Sequence, residues 1–217
     1  MQKRKDIDEI LKGIRKSVGK EKLPSEKENP FQVLISTVLS QRTRDENTER
    51  ASRQLFSKYK TPEQLSNAPL KEIESLIKPS GFYKTKALRI RKISSIICEK
   101  YNGRVPSDLL ELMKLPGVGR KTANCVLVYA YGIPAIPVDT HVHRVSNRIG
   151  LVKTKTPEQT ERKLLRIIPR KNWNELNELF VKFGHQVCKP AKPMCWNCPI
   201  VKMCDYVNKN MNPEREI

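Results

Sequence analysis

Apolar residues recur at helical spacing along nearly the whole of this chain. Ile7, Ile10, Leu11, Ile14 and Val18 form a stripe in a predicted helix from Lys3 to Val18. A polar, proline-containing link runs from Glu21 to Asn29, and Asn29-Pro30 reads as an N-cap followed by proline at the first helical position. Phe31, Leu34, Ile35, Val38 and Leu39 then mark an apolar helix that ends in Ser40-Gln41-Arg42-Thr43. A further helix, from about Asp45 to Tyr59, carries Ala51, Leu55, Phe56 and Tyr59 on one side. Thr61-Pro62-Glu63-Gln64 has the form of a capping box. Ile73, Leu76 and Ile77 predict a short helix ending before Gly81, and Ile90, Ile93, Ile97 and Tyr101 predict one ending at Asn102-Gly103. Ser107 is placed to cap a short helix through Lys114. Beyond Asp139, Val142, Val145 and Ile149 predict a helix closed by Gly150. A second Thr-Pro-Glu-Gln, at 156–159, opens one with Leu164, Leu165 and Ile168, and Leu176, Leu179, Phe180 and Phe183 predict another, ended by Gly184. No stretch alternates as a strand would, so the expected fold class is all-α with short connections.

Composition narrows the function. The 217 residues have room for one large domain or two small ones, and 38% hydrophobic content supplies a core. A net charge of +19 suits a polyanionic partner bound through phosphate contacts. The basic residues are spread among apolar positions rather than gathered in a tail, which favours a folded binding surface. The opening MQKRKDIDEI has no signal-peptide or lipidation pattern. The most apolar stretch, Cys125 to Val138, is broken by Gly132, Pro134 and Pro137. The expectation is therefore a cytoplasmic chain without membrane attachment. Cys98 and Cys125 fall in apolar helices and are expected in the core. Cys188-x6-Cys195-x2-Cys198-x5-Cys204 is a compact four-thiolate set expected to hold a metal. Four cysteines serve zinc and iron–sulfur clusters alike, although this is not the paired C-x2-C of a zinc ribbon.

The chemistry concentrates in LPGVGRKTANCVLVYAYGIPAIPVD, residues 115–139. Gly117 and Gly119 permit positive φ and close backbone approach, and the amides that follow open a helix, where a phosphate is well received. Lys121 lies in the first turn of that helix. The positive end of the helix dipole disfavours a further positive charge there, which favours a neutral amine able to attack carbon and form a Schiff base. A phosphate contact or a solvent-facing role would also suit a lysine. Asp139 precedes a helix and is a natural N-cap; its second oxygen could face a cationic transition state. His141 and His143, two residues apart on a helix, face different ways and read as structural.

LPGVGRKTA…PVDTHVHR resembles the endonuclease III family of DNA glycosylase/AP lyases, in the helix-hairpin-helix superfamily with a Gly/Pro-rich loop and following Asp. The resemblance covers nearly the whole chain. It implies two helical domains flanking a DNA-binding cleft: residues 23–133 with the hairpin, and residues 1–22 plus 134–217 with a C-terminal [4Fe–4S] loop. It assigns catalysis to Lys121 and Asp139, facing each other across the cleft, and the [4Fe–4S] cluster to Cys188, Cys195, Cys198 and Cys204. It implies DNA contacts at Gly117, Val118, Gly119 and Arg120. Gln41 or Arg42 would fill the gap left by an extruded base, Phe82 would wedge the opposite strand, and Asp45 would lie near the site. Lys84, Lys86, Arg89, Arg91 and Lys92 would contact the backbone or form a solvated face. The implied activity is removal of oxidised pyrimidines from double-stranded DNA, with β-elimination at the abasic site, by a monomer. The alternatives are a glycosylase for thymine or uracil opposite guanine, one for 8-oxoguanine, and a non-catalytic DNA-binding module.

Overall fold

The computed structural model describes residues 6–19 and 29–212. The expected helix start at residues 3–5, the link at residues 21–28 and the domain boundary at Leu23 lie outside the described residues. Among those described, every regular element is helical: α1 (Ile7–Val18), α2 (Pro30–Ser40), α3 (Asp45–Lys58), α4 (Pro62–Ser66), α5 (Leu70–Leu76), α6 (Tyr83–Tyr101), α7 (Leu109–Met113), α8 (Arg120–Tyr131), α9 (Thr140–Ile149), α10 (Pro157–Ile167) and α11 (Trp173–Gln186), with short 3-10 turns near the C-terminal end. None of these helices is long and apolar enough to cross a membrane. The chain groups into two units, Pro24–Ala135 and Met1–Leu23 with Ile136–Ile217.

In the Pro24–Ala135 unit, α2 buries Phe31, Val33, Leu34, Ile35, Val38 and Leu39 and packs on α3, α6 and α8. Asn29 caps it by accepting from the amides of Phe31 and Gln32, with Pro30 supplying the fixed φ of the first turn. α8 is buried over most of its surface, from Thr122 to Val128 and again at Ala130. A helix apolar nearly all round belongs inside a domain, so α2 and α8 form the core pair. The capping box at Thr61 is complete, with Thr61 accepting from the Gln64 amide and Gln64 from the Thr61 amide, each at 3.3 Å. Ser107 is not the cap of the helix before the hairpin. Asp108 is, its Oδ1 accepting from Leu110 at 2.8 Å and Glu111 at 3.0 Å. A carboxylate satisfies two amides at a dipole-positive end better than a hydroxyl can.

In the other unit, Ile10, Leu11 and Ile14 of α1 pack with Val142, Val145 and Ile149 of α9, Leu164 of α10, and Leu176, Phe180 and Phe183 of α11. Thr156 accepts from the Gln159 amide, but Gln159 reaches back to the amide of Lys155 rather than to that of Thr156. Gly184 does not end α11, which continues to Gln186. A Cβ there would sit 2.8 Å from His141 Nδ1 and 2.9 Å from Arg144 Nη2. The glycine is a packing requirement of the α9–α11 crossing, not a stop signal.

Candidate active site

The hairpin runs from α7 through Leu115–Gly119 into α8. Val118 is buried and its amide donates to Leu115 O at 3.1 Å, so this residue closes the turn and pins it to the core. Gly117 has φ 75°, the left-handed conformation that favours glycine, and a Cβ there would push aside the flexible end of Arg89, whose Cδ would lie 2.8 Å away. Gly119 differs from expectation: its φ of −88° suits any residue. It is the N-cap of α8 and offers no side chain to the helix amides; a Cβ there would meet nothing within 4 Å. Arg120 and Lys121 are the first two residues of α8, both half-buried, on a helix whose body is fixed in the core.

Two further turns lie in the same unit. Gln41 Nε2 donates to Gly117 O at 2.9 Å and lies 3.4 Å from Thr122 Oγ1, which ties the turn after α2 to the hairpin. Arg42 has φ 53° and Phe82 has φ 59°, both in the left-handed region that non-glycine residues seldom enter. The Arg42 guanidinium stands 5.8 Å from the Phe82 ring centroid. Phe82 is 63% exposed, so it is not a core residue. Gln41, Arg42, Phe82, Thr85, Lys86 and Arg89 line a pocket of about 320 Å3. Asp45 is exposed at the start of α3.

Lys86 is the main departure from expectation among the basic residues of α6. Neither placed to contact a DNA backbone nor part of a solvated face, it is 2% exposed, with its ammonium turned inward. Nζ, with three protons to share, lies within hydrogen-bond reach of four oxygens: Leu39 O at 2.7 Å, Gln41 O at 2.6 Å, Thr43 Oγ1 at 2.8 Å and Ser80 Oγ at 2.8 Å. Burial, with the Arg89 charge beside it, brings this group down to about 8.

Asp139 is the N-cap of α9. Its Oδ1 accepts from the amides of His141 at 2.9 Å and Val142 at 2.8 Å. The approach to it is held by buried Ile136 and Val138, and by Asn177 of α11, whose Nδ2 donates to Pro137 O at 2.7 Å. His143 Nδ1 lies 2.6 Å from Thr160 Oγ1, and the His141 ring stacks 4.1 Å from that of His185.

The C-terminal end of α9 anchors the cysteine loop. Arg144 donates to the carbonyls of Gly184 and Cys188, and Arg148 to those of Lys189 and Pro190. Arg148 Nη1 lies 3.6 Å from Cys188 Sγ, its guanidinium stacks 4.4 Å over Tyr206, and its carbonyl accepts from Cys204 Sγ at 3.3 Å. Cys188, Cys195, Cys198 and Cys204 line one cavity with Ile149, Phe183, Val187 and Ile200. Burial pushes the Cys198 thiol up to about 11 and raises that of Cys204, while the backbone at Ile200 and Tyr206 hydrogen-bonds the two sulfurs and opposes this. Among the described residues, no group of three or more His, Cys, Asp or Glu is drawn together as a metal site. The four thiols instead surround a shared apolar space, which suits a polynuclear centre with sulfurs spread around it. Arg144, Arg148, Asn177 and Lys86 had no signal in the sequence beyond their type, because each acts through a partner distant along the chain.

The family model described as HhH-GPD superfamily base excision DNA repair protein matches residues 35–170. Endonuclease III of Thermotoga maritima is 55% identical over 181 residues, 83% of this chain and 85% of that protein. A solved structure of a trapped endonuclease III–DNA covalent intermediate, an estranged-adenine complex, aligns with a TM-score of 0.86 at 40% identity over 94% of this chain and 97% of that one. A thermostable thymine-DNA glycosylase aligns with a TM-score of 0.81 at 27% identity over 92% and 93% of the two chains. By the match over most of its length and by its identity to these relatives, the chain belongs to the endonuclease III family within the HhH-GPD superfamily of base excision DNA repair proteins.

Proposed function

We propose that this chain removes oxidised pyrimidines from double-stranded DNA and then nicks the strand at the abasic site. The observation that carries this reading is a lysine in the first turn of α8, directly after the Gly117 turn, in a chain 40% identical to a protein trapped covalently on DNA. The deprotonated Lys121 amine attacks C1′ of an extruded nucleoside. The N-glycosidic bond breaks, and its electron pair leaves with the base, which takes up a proton. The sugar ring opens to a Schiff base between Lys121 Nζ and C1′. Loss of a proton from C2′ expels the 3′ phosphate by β-elimination, and water releases the lysine. Asp139 holds its capping bonds through Oδ1, and its carboxylate charge stabilises the sugar cation as the base departs.

Around this chemistry, Gly117, Gly119 and Arg120 receive a DNA phosphate at the start of α8, with Val118 anchoring the turn. Gln41 or Arg42 fills the gap left by the extruded base, Phe82 wedges the facing strand and Asp45 lies beside the site. Cys188, Cys195, Cys198 and Cys204 hold a [4Fe–4S] cluster. When bound, it supplies a staple for the loop bearing Lys189, Lys192 and Lys202, and none of the steps above draws on its redox chemistry. The enzyme acts as a monomer in the cytoplasm. A second reading, thymine opposite guanine as substrate, draws support from the 27% identity to a thymine-DNA glycosylase. Base release from duplexes carrying thymine glycol, thymine opposite guanine, or 8-oxoguanine decides between them. Fastest release of thymine glycol supports the proposal, and preference for mismatched thymine replaces it with the second reading.

A further inference from the structure

We infer that Lys86 is a positioning residue for base extrusion, its ammonium locking the Ser40–Thr43 turn to the Ser80–Phe82 turn. This rests on the proposed glycosylase reading. The lock itself is visible in the bonds. Nζ reaches two carbonyls of the first turn region, Leu39 O and Gln41 O, and the hydroxyls of Thr43 and Ser80. The hydroxyls join the turns a second time: Ser80 Oγ donates to Leu39 O at 3.0 Å, and the Gly81 amide donates to Thr43 Oγ1 at 3.1 Å. Among the described residues, no carboxylate bonds this ammonium; the charge is met by neutral oxygens, two of them carbonyls at the C-terminal end of α2, where the helix dipole is negative. Burying a lysine this way is costly, and a methionine would fill the same space without that cost.

What the ammonium holds is the strained part of the unit. Its carbonyl partner Gln41 immediately precedes Arg42, and its hydroxyl partner Ser80 lies two residues before Phe82. Arg42 and Phe82 are both left-handed, and their side chains meet over the pocket that Gln41 and Arg89 also line. Residues kept in sparsely populated conformations persist only where surrounding bonds over-determine them. The lock therefore presents Gln41, Arg42 and Phe82 as one preformed wedge, so that the cost of ordering two turns is not added to the cost of unstacking a base.

Lys86→Met and the milder Thr43→Val test this by two readouts. Hydrogen exchange without DNA reads the lock: amides of both turns, Thr43 and Gly81 among them, should lose protection by roughly tenfold or more in Lys86→Met, with the core of α8 unchanged. Single-turnover release of one damaged base then reads the function. With the base paired to its partner, Lys86→Met should be slowed by roughly a hundredfold, and with an abasic analogue opposite by less than about tenfold, because an unpaired base needs less help to leave the stack. Thr43→Val should show the same pattern, smaller. Unchanged protection in either turn overturns the lock, and equal losses on paired and unpaired substrates overturn the positioning role. If Lys86→Met does not fold, Thr43→Val alone decides both points. A wild-type enzyme that releases no base refutes the glycosylase reading and with it the positioning role, while exchange still reports on the lock.

Discussion

Replacing Asp139 by asparagine keeps the shape of a cap and removes its charge. In the structure one oxygen, Oδ1, accepts from both the His141 and Val142 amides, and an asparagine carbonyl can do the same. Asn and Asp are near-equal caps, so Asp139→Asn should cost less than about 0.5 kcal/mol, whereas Asp139→Ala should cost about 1 kcal/mol. For a chain of this size that is a melting shift of roughly 2–4 °C for the alanine variant and little for the asparagine one. Chemistry should separate the two effects. Loss of one preorganised electrostatic group costs on the order of a hundred- to a thousandfold in rate, so both variants should fall by about that factor in single-turnover base release. The pair is measured by thermal melting and by base release from one duplex. An asparagine variant within about threefold of wild-type rate would show that the charge is not needed. One that melts as low as the alanine variant would show that the cap is not held as described.

Gly184→Ala gains up to about 1 kcal/mol of helix propensity but drives a methyl against His141 and Arg144, and overpacking of this kind costs about 1–3 kcal/mol. Net destabilisation in denaturant melts is expected, and a stabilised variant would mean that α9 and α11 can separate freely. For Lys86, burial lowers the ammonium from 10.5 to about 8, so between these values the unfolded chain holds a proton that the folded chain lacks. The stability of wild type relative to Lys86→Met should therefore rise with pH across that window, by up to about 1.4 kcal/mol per unit. A flat or falling difference contradicts a lowered titration of the Lys86 amine in the folded chain. Cys195→Ala should lose iron and sulfide and the absorbance near ~400 nm, and retention of wild-type iron content would remove Cys195 from the ligand set.

Much of the fold was written in local pattern. The stripe from Phe31 to Leu39 and the Asn29-Pro30 start marked α2, and the turn glycines marked the ends of α6 and α9. Where expectation failed, the deciding force was tertiary. Gly184 resembles a helix stop because the sequence does not show that His141 and Arg144 lie against it. Ser107 and Asp108 are adjacent cap formers, and only geometry chooses between them. Lys86, on a helix crowded with Lys and Arg, looks like one more solvent cation, and its four oxygens come from turns up to 47 residues away. In the candidate site, Lys121, Asp139 and the four cysteines were candidates already in the sequence, through a family-like motif and their spacing, and the roles given to them are the proposal above. Arg148 was not, because it joins Cys188 and Cys204 across the chain.

The proposed imine between Lys121 and a DNA sugar is read directly by borohydride trapping. Wild-type protein is incubated with duplexes carrying thymine glycol or an abasic site in the presence of borohydride, with Lys121→Ala alongside. Wild type should give a covalent protein–DNA adduct on both duplexes, and Lys121→Ala none although that variant still binds duplex DNA. An adduct of undiminished yield with Lys121→Ala would place the nucleophile elsewhere, and the absence of any adduct from a wild-type protein that binds and releases the base would reduce the enzyme to a glycosylase without lyase activity.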